Sequence, residues 1–567
     1  MGKISDIKSR NELADFLKVP RKKLSYILYV VSPESCYHSF EIPKKCGGMR
    51  KINAPNRDLK YVQKMLANAL YSYQREYRES EAIRQNVSYA FEKGKGIALN
   101  AAIHRNKRFV LNVDLEGFFD SFHIGRVVGY FEKNRHFNFP HEVAVTIGKI
   151  ACYQGKLPQG SPCSPIITNL ICENLDIRLI KLSKKYKLDY TRYADDITFS
   201  TNCADFVTFQ ESFMTELTAV IRSAGFKLNP QKTRLQYKDA QQKVTGLVVN
   251  KRVSVDRTYC RDTRAMANHQ YREGSFEIGG NPGTLNQLEG RFAFINQIDK
   301  YNNKRDGRKH YVFSLSGREK QYQAFLFYRY FFHPEKPVII TEGKTDVLYL
   351  KAALMKFHNR YPNLIERAPD GDYRYRITFF ARSKKWEYFF GMALDGADTI
   401  TNLYRFYLPD RNTPNYLEYF QKISGMQPSK PVVFLFDNEP TGKDKPLKKF
   451  LGDSTISSDM KTDLQKNLKV ELISESKLFL MTCPLPQGFS NCEIEDLLPE
   501  SVLEMKIDGR SFDRTGKKNI KEFYNKDVLS RYVYQMYESI DFDRFIPLLN
   551  AFDSIVSGSR VEEDATV

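Results

Sequence analysis

Tyr190-Thr191-Arg192-Tyr193-Ala194-Asp195-Asp196-Ile197-Thr198-Phe199-Ser200 is an alternating run broken by a short acidic centre, the pattern of a strand, a tight turn and a second strand. The centre sets two carboxylates side by side. At about 4 Å and an effective dielectric near 20 such a pair repels by roughly 4 kcal/mol, so a fold that keeps both calls for a cation. Read alone, the tetrad Tyr193 to Asp196 also fits an exposed Asp-Asp turn. Upstream, Arg108-Phe109-Val110-Leu111-Asn112-Val113-Asp114 reads as a buried strand that delivers a third carboxylate to its tip. Three acids on two adjoining strands can bind two divalent ions, which polarise a phosphate, lower the pKa of an attacking hydroxyl and steady the leaving oxygen. That is the chemistry of nucleotidyl transfer.

Between the acidic strands lies Leu157-Pro158-Gln159-Gly160-Ser161-Pro162-Cys163-Ser164-Pro165, a loop punctuated by Gly and Pro that leads into the largely apolar segment 166–180. In order and spacing, this loop, Val113-Asp114-Leu115-Glu116-Gly117-Phe118-Phe119-Asp120 and Tyr193-Ala194-Asp195-Asp196 resemble the palm motifs of reverse transcriptases. The resemblance implies that Asp114, Asp195 and Asp196 are catalytic and hold two Mg2+ ions. It also implies deoxynucleoside triphosphates as substrates.

Charge is unevenly spread over the 567 residues, whose net charge is +20. Residues 1–330 hold 54 Lys+Arg against 32 Asp+Glu, net +22, while residues 331–567 hold 33 against 35, net −2. A basic first part suits a polyanionic partner, and the near-neutral remainder suggests a separate module. The nine cysteines show no C-x-x-C pairing and read as reduced thiols. With no apolar signal-peptide core at the amino terminus and no apolar stretch of membrane-spanning length, a cytoplasmic protein with no membrane partner is expected.

The segment from Ile42 to Pro55, Ile-Pro-Lys-Lys-Cys-Gly-Gly-Met-Arg-Lys-Ile-Asn-Ala-Pro, has the pattern of a basic hairpin with glycines at its turn. The resemblance makes it the fingers, with Arg50 and Lys51 gripping the incoming triphosphate; template phosphates are the alternative partner. It further implies that Phe119 bars a ribose 2′-hydroxyl, unless it simply packs in the core, and that Gln159 and Gly160 lie against template and primer. Lys232 matches a lysine that acts as general acid near the pyrophosphate, with a solvated surface position as the alternative.

Asn100-Ala101-Ala102-Ile103-His104 and Val244-Thr245-Gly246 resemble the two short elements of retron reverse transcriptases. That likeness implies RNA-binding roles for Asn100, His104, Val244, Thr245 and Gly246, and a cognate non-coding RNA as partner. It implies a branched RNA-DNA product, msDNA, primed from an internal 2′-hydroxyl. From Thr258 to about Asn302 the pattern is helical, and Leu288 to Ile295 resembles a thumb; Arg257, Arg261, Arg264 and Arg272 are candidates to follow a nucleic-acid backbone.

After the polar stretch from Asn302 to Lys309, Pro337-Val338-Ile339-Ile340-Thr341-Glu342-Gly343-Lys344-Thr345-Asp346 reads as a short buried strand, a glycine turn and a helix start. Pro431 to Glu439 reads as a second apolar strand ending in acids. Acids at the carboxyl ends of parallel strands share one crevice. The pair resembles the Toprim domain, which implies Glu342, Asp437 and Glu439 as catalytic metal ligands for one or two ions. Glu439 stands where the family has Asp. Asp346, Glu495 and Asp496 are acidic additions, the last two reading first as acids favoured in a helix first turn.

These readings imply an α+β right-hand polymerase at 1–310, with fingers at about 20–110, palm at about 111–250 and thumb at about 251–310. A connector at 311–335 precedes an α/β Toprim domain with a mainly parallel sheet at 336–500 and its C-terminal extension at 501–567. The expected function is RNA-directed DNA synthesis fused to a Toprim nuclease effector, with a nucleic-acid substrate of its own, in antiphage defence. Self-association stays open. The rival readings are a group II intron or diversity-generating reverse transcriptase and a non-catalytic RNA-binding scaffold.

Overall fold

The structure, a computed structural model, describes residues 4–43, 47–81, 86–393, 399–409, 412–441, 445–515, 517–519 and 521–558. Lys44, Lys45 and Cys46 of the expected hairpin, and 559–567 of the expected C-terminal extension, lie outside the described residues. The chain divides into two units, Met1–Arg257 and Thr258–Val567.

In the first unit the principal strands are β1 (Tyr37–Pro43), β2 (Met49–Pro55), β3 (Phe109–Asp114), β4 (Asp189–Tyr193), β5 (Asp196–Thr201) and β6 (Arg234–Tyr237). β1 and β2 form an antiparallel hairpin, and the other four form an antiparallel sheet in the order β4-β5-β3-β6. β3 is buried along almost its whole length, as its apolar run requires. Apolar positions of the helices Ser164–Lys185 and Phe206–Ser223 are buried in the same core; Phe213 meets Phe199 of β5 edge-on with ring centroids 5.0 Å apart.

The turn between β4 and β5 is two residues long, and Ala194 takes a left-handed φ of +57°. For a residue with a Cβ this costs roughly 1–2 kcal/mol. The surrounding bonds hold it in place: Leu115 N–H donates to the Asp195 carbonyl at 3.1 Å, and Arg192 Nη1 donates to the Ala194 carbonyl at 3.3 Å. Arg192 is fully buried and forks onto Asp176 at 2.8 and 2.7 Å, while Tyr190 Oη donates to the same carboxylate at 2.7 Å. Removing one member of a buried pair strands the other charge. Asp176→Asn is therefore expected to lower unfolding free energy by about 3–5 kcal/mol, read from the denaturant midpoint. The apolar pair Arg192→Met with Asp176→Leu should recover much of that loss.

In the second unit the principal strands are β7 (Val338–Thr341), β8 (Thr378–Phe379), β9 (Val432–Phe436), β10 (Lys469–Ile473) and β11 (Leu478–Thr482). They make one sheet in the order β8-β7-β9-β11-β10, parallel except for β10. β7 and β9 are buried throughout, with helix Asp346–Lys356 following β7.

Two expected boundaries change. The helices Arg257–Glu273 and Leu285–Arg305, read as a thumb of the first part, contribute Tyr271, Leu288 and Phe292 to a core of the second unit. Phe292 lies 5.1 Å from Phe325 and Tyr271 lies 4.9 Å from Phe420, ring centre to ring centre. The stretch 311–335, read as a connector, contains helix Gly317–Phe327, which starts with a Ser316/Glu319 capping box and buries Tyr322, Phe325, Leu326 and Phe327. Aromatic burial outweighs the polar flanks that suggested a linker. Residues of 501–558 belong to a separate core of the same unit, through Tyr524, Leu529, Val533, Leu548 and Phe552, which they share with Ile339, Val433 and Leu435.

Candidate active site

The register of β3 on β5 sets Asp114 directly opposite Asp196, and Asp195 occupies the adjoining turn. Asp114 is buried, Asp195 half-buried and Asp196 exposed. Withdrawal from bulk water in the cleft, then the charges of Asp195 and Asp114, push Asp196 up to about 6. Burial also raises Asp195, with Asp114 adding to it and the charges of Lys232 and Arg50 opposing it. Arg50 and Lys51 are exposed on β2, so the charge of Arg50 reaches Asp195 from the hairpin. Lys232 Nζ stands 3.0 and 3.1 Å from the Asp114 oxygens, and this bond raises the lysine's own pKa. In this pairing it is a weaker acid than free lysine.

Among the described residues, no three His, Cys, Asp or Glu side chains form a ready metal-holding group. The donor chemistry nevertheless fits: three converging carboxylates, two of them raised toward protonation, form an all-oxygen set suited to a hard divalent cation.

Gly160, expected to lie against template and primer, also has the hairpin as a close neighbour. At φ +124° a Cβ on Gly160 would lie 2.6 Å from the Asn53 carbonyl oxygen, and Asn53 N–H donates to the Gln159 carbonyl at 2.8 Å. The glycine thus docks the loop on β2. Gly160→Ala is expected to push the two apart, costing about 1–3 kcal/mol in stability and at least about tenfold in DNA synthesis, measured by denaturant melts and primer extension. Gln159 and Phe119 are half-buried, Phe119 packing edge-on against Phe118 at 5.5 Å.

Asn100, His104 and Val244, expected to contact RNA, are all buried. His104 bridges side chains of β4 and β5, Nε2 2.7 Å from Thr191 Oγ1 and Nδ1 2.7 Å from Ser200 Oγ, and burial pushes its pKa down to about 3. It is a neutral strut that ties β4 to β5. Thr245 and Gly246 differ, for they form a two-residue turn with φ +46° and +82° between Lys243–Val244 and Leu247–Val248. A β-branched residue rarely holds such a φ. This turn lines a cavity of about 330 Å3 whose wall includes Asn112, Asp114, Asp196 and Lys232.

The reverse transcriptase (RNA-dependent DNA polymerase) family profile matches residues 42–249, which span this site. The chain is 32% identical over 317 residues to the retron Ec86 reverse transcriptase of Escherichia coli, covering 55% of this chain and 91% of that protein. The chain belongs to the retron reverse transcriptases. It is also 32% identical to the retron Mx162 reverse transcriptase of Myxococcus xanthus, over 52% of this chain and 65% of the relative, and 30% identical to the retron Mx65 enzyme of the same organism, over 46% and 61%. As an RNA-directed DNA polymerase, this retron reverse transcriptase depends on divalent metal. No helix among its described residues is long and apolar enough to cross a membrane.

The retron reverse transcriptase has a second acidic cluster beyond the profile match. β7 and β9 are parallel with Thr341 beside Leu435, so Glu342 and Asp437 leave the sheet at the same edge. Burial, then the charges of Asp346 and Glu439, push Glu342 up to about 7. Burial raises Asp437, Asp346 and Glu495 as well, and Asp437 feels Asp346, Glu342 and Glu495. Glu342 Oε2 and Glu495 Oε1 are buried without a hydrogen-bond partner among the described residues. Two orphaned carboxylate oxygens facing like charges fit a cation site. Lys445 pairs with Glu439, and Lys526 reaches Glu493 and Glu495 at 3.0 Å. Glu495 thus joins the cluster, whereas Asp496 caps a helical turn by accepting from Glu493 N–H at 2.8 Å and pairs with Arg514 at 2.6 Å. Both acids lie in the first turn of the short 3-10 helix Ile494–Leu497, as the helix-turn reading expects, and sequence had no signal to separate their partners.

Proposed function

We propose that the first unit copies a cognate structured RNA into branched msDNA, primed from an internal 2′-hydroxyl, and that the second unit is a Toprim-type, metal-dependent nuclease acting in antiphage defence. The observation that carries the polymerase half is Asp114 facing Asp196 across β3 and β5, with Asp195 in the turn. Asp114, Asp195 and Asp196 would hold two Mg2+ ions, which acidify an attacking hydroxyl and offset phosphate charge when bound. Arg50 and Lys51 meet the triphosphate from β2. Phe119 sits beneath the incoming sugar and rejects a 2′-hydroxyl. Gln159 and Gly160 join the hairpin to the palm so that template and nucleotide share one frame. Lys232 keeps the Asp114 carboxylate paired until a cation replaces it, and is then available to protonate pyrophosphate. Thr245 and Gly246 lie on the cavity reaching Asp114 and Asp196, a place for the RNA's priming end.

For the nuclease half, the support is the shared edge of Glu342 and Asp437 with the buried, unpartnered oxygens of Glu342 and Glu495. Glu342, Asp437 and Glu439 would hold one or two ions, Asp346 and Glu495 completing the acidic pocket. The msDNA product would hold the nuclease in check, and carrying both on one chain keeps its local concentration high. Expression from the native operon, followed by sequencing of the co-purified nucleic acid, tests the proposal: a branched RNA-DNA molecule is expected, and unbranched RNA alone would refute it.

A further inference from the structure

The second unit also holds a cavity of about 870 Å3 that involves none of these acids. Tyr271, Phe292 and Phe406 make its aromatic floor, each no more than 5% exposed. At its rim, Phe313 and Tyr419 present rings that are 53% and 44% exposed. Arg261, Arg264 and Lys320 supply three cations, and no carboxylate occurs among the described lining residues. Arg261, Arg264 and Asn268 reach it from one face of helix Arg257–Glu273, at the i, i+3, i+7 spacing of a single stripe.

This combination selects a ligand. Arg261 is already paired with Asp262 at 3.6 Å. Aromatic walls favour a flat ring, and the cations Arg264 and Lys320 favour an anion attached to it; a nucleobase with its phosphate satisfies both. The volume lies within the roughly 300–1,000 Å3 of small-ligand sites. A docking groove for a neutral apolar helix would have no use for three cations around its mouth.

We propose that this cavity binds one unpaired nucleotide, its base stacked on Phe313 and Tyr419 and its phosphate met by Arg264 and Lys320. The nucleotide belongs either to a bound strand or to the free pool, and stacking plus charge would hold it in both cases. Because the cavity shares no residue with either acidic cluster, loss of metal chemistry and loss of this site are separable.

The test uses 2-aminopurine, whose emission is quenched on stacking, with the full chain and two probes: 2-aminopurine deoxyribonucleoside 5′-monophosphate, and a single-stranded oligodeoxynucleotide carrying one 2-aminopurine. Saturable quenching of the strand alone supports a strand nucleotide; quenching of the monophosphate supports a free one. Phe313→Ala with Tyr419→Ala is expected to weaken binding about tenfold and restore emission with the salt slope unchanged. Arg264→Ala with Lys320→Ala should weaken it about tenfold and flatten the salt dependence by roughly one unit of slope. Tyr419→Phe keeps the ring and should bind as the parent does, separating stacking from a folding defect. Absence of quenching with both probes, or quenching that survives all four alanine substitutions, overturns the proposal.

Discussion

Asp195→Asn with Asp196→Asn is expected to reduce RNA-directed DNA synthesis by about a thousandfold or more, because the ions these carboxylates would hold contribute several kcal/mol of transition-state stabilisation. Asparagine keeps the shape and one acceptor oxygen while removing the charge, so circular dichroism and melting should change little. The metal-free variant should even gain stability at alkaline pH. Asp196 has its pKa raised to about 6, above its ordinary 3.8, so its contribution favours the folded state at low pH and is lost as pH rises through about 6. The amide removes that dependence. In the parent enzyme, synthesis should climb between pH 5 and 7 as Asp196 ionises, and added Mg2+ should move the midpoint downward by competing with the proton. Primer extension across pH at two Mg2+ concentrations reads both effects. Synthesis undiminished in the double variant would remove the polymerase assignment of these acids.

On the proposed nuclease reading, Glu342→Gln is expected to abolish metal-dependent nucleic-acid cleavage by the second unit, by about a thousandfold in rate, while DNA synthesis continues. Glu342 lies at the carboxyl end of β7 with one oxygen buried and unpartnered, and its pKa is pushed up to about 7 from 4.5. The sign is the same: the acid favours the folded state below its unfolded pKa and loses that contribution as pH rises through about 7. Without metal, the glutamine variant should therefore be more stable than the parent at pH 8 by roughly 1–2 kcal/mol, allowing for partial solvent contact, and equal to it near pH 5. Mg2+ should raise the parent's melting temperature more at pH 8 than at pH 5.5 and raise the variant's by less, since only the site of the three palm aspartates is left to bind it. Cleavage that persists in Glu342→Gln would reject the nuclease reading while leaving the polymerase untouched.

The acids of both clusters were legible because each sits at a local junction. A buried apolar run ending in Asp114, an alternating hairpin centred on Asp195 and Asp196, and short β-rich runs before Glu342 and Asp437 are patterns within ten or so residues. The supports were not. Asp176 neutralises Arg192 from a neighbouring helix, and Asn53 meets Gly160 across more than a hundred residues of chain. His104 carries a motif position yet is a buried strut, and the aromatic spacing that ties 258–335 to the second unit's core was read as thumb and linker.

Sequence alone determined the strands that carry the acids, where the tight acidic turn falls and which carboxylates end those strands, because φ/ψ preference, side-chain alternation and turn chemistry act over a few neighbours. Only the tertiary structure decided that Asp114 faces Asp196, that Glu495 joins Asp437 while Asp496 caps a turn, and that an aromatic, cation-rimmed cavity opens beside helix Arg257–Glu273. Burial and charge pairing depend on which distant segments exclude water from one another, and that is a property of the assembled core rather than of any local stretch.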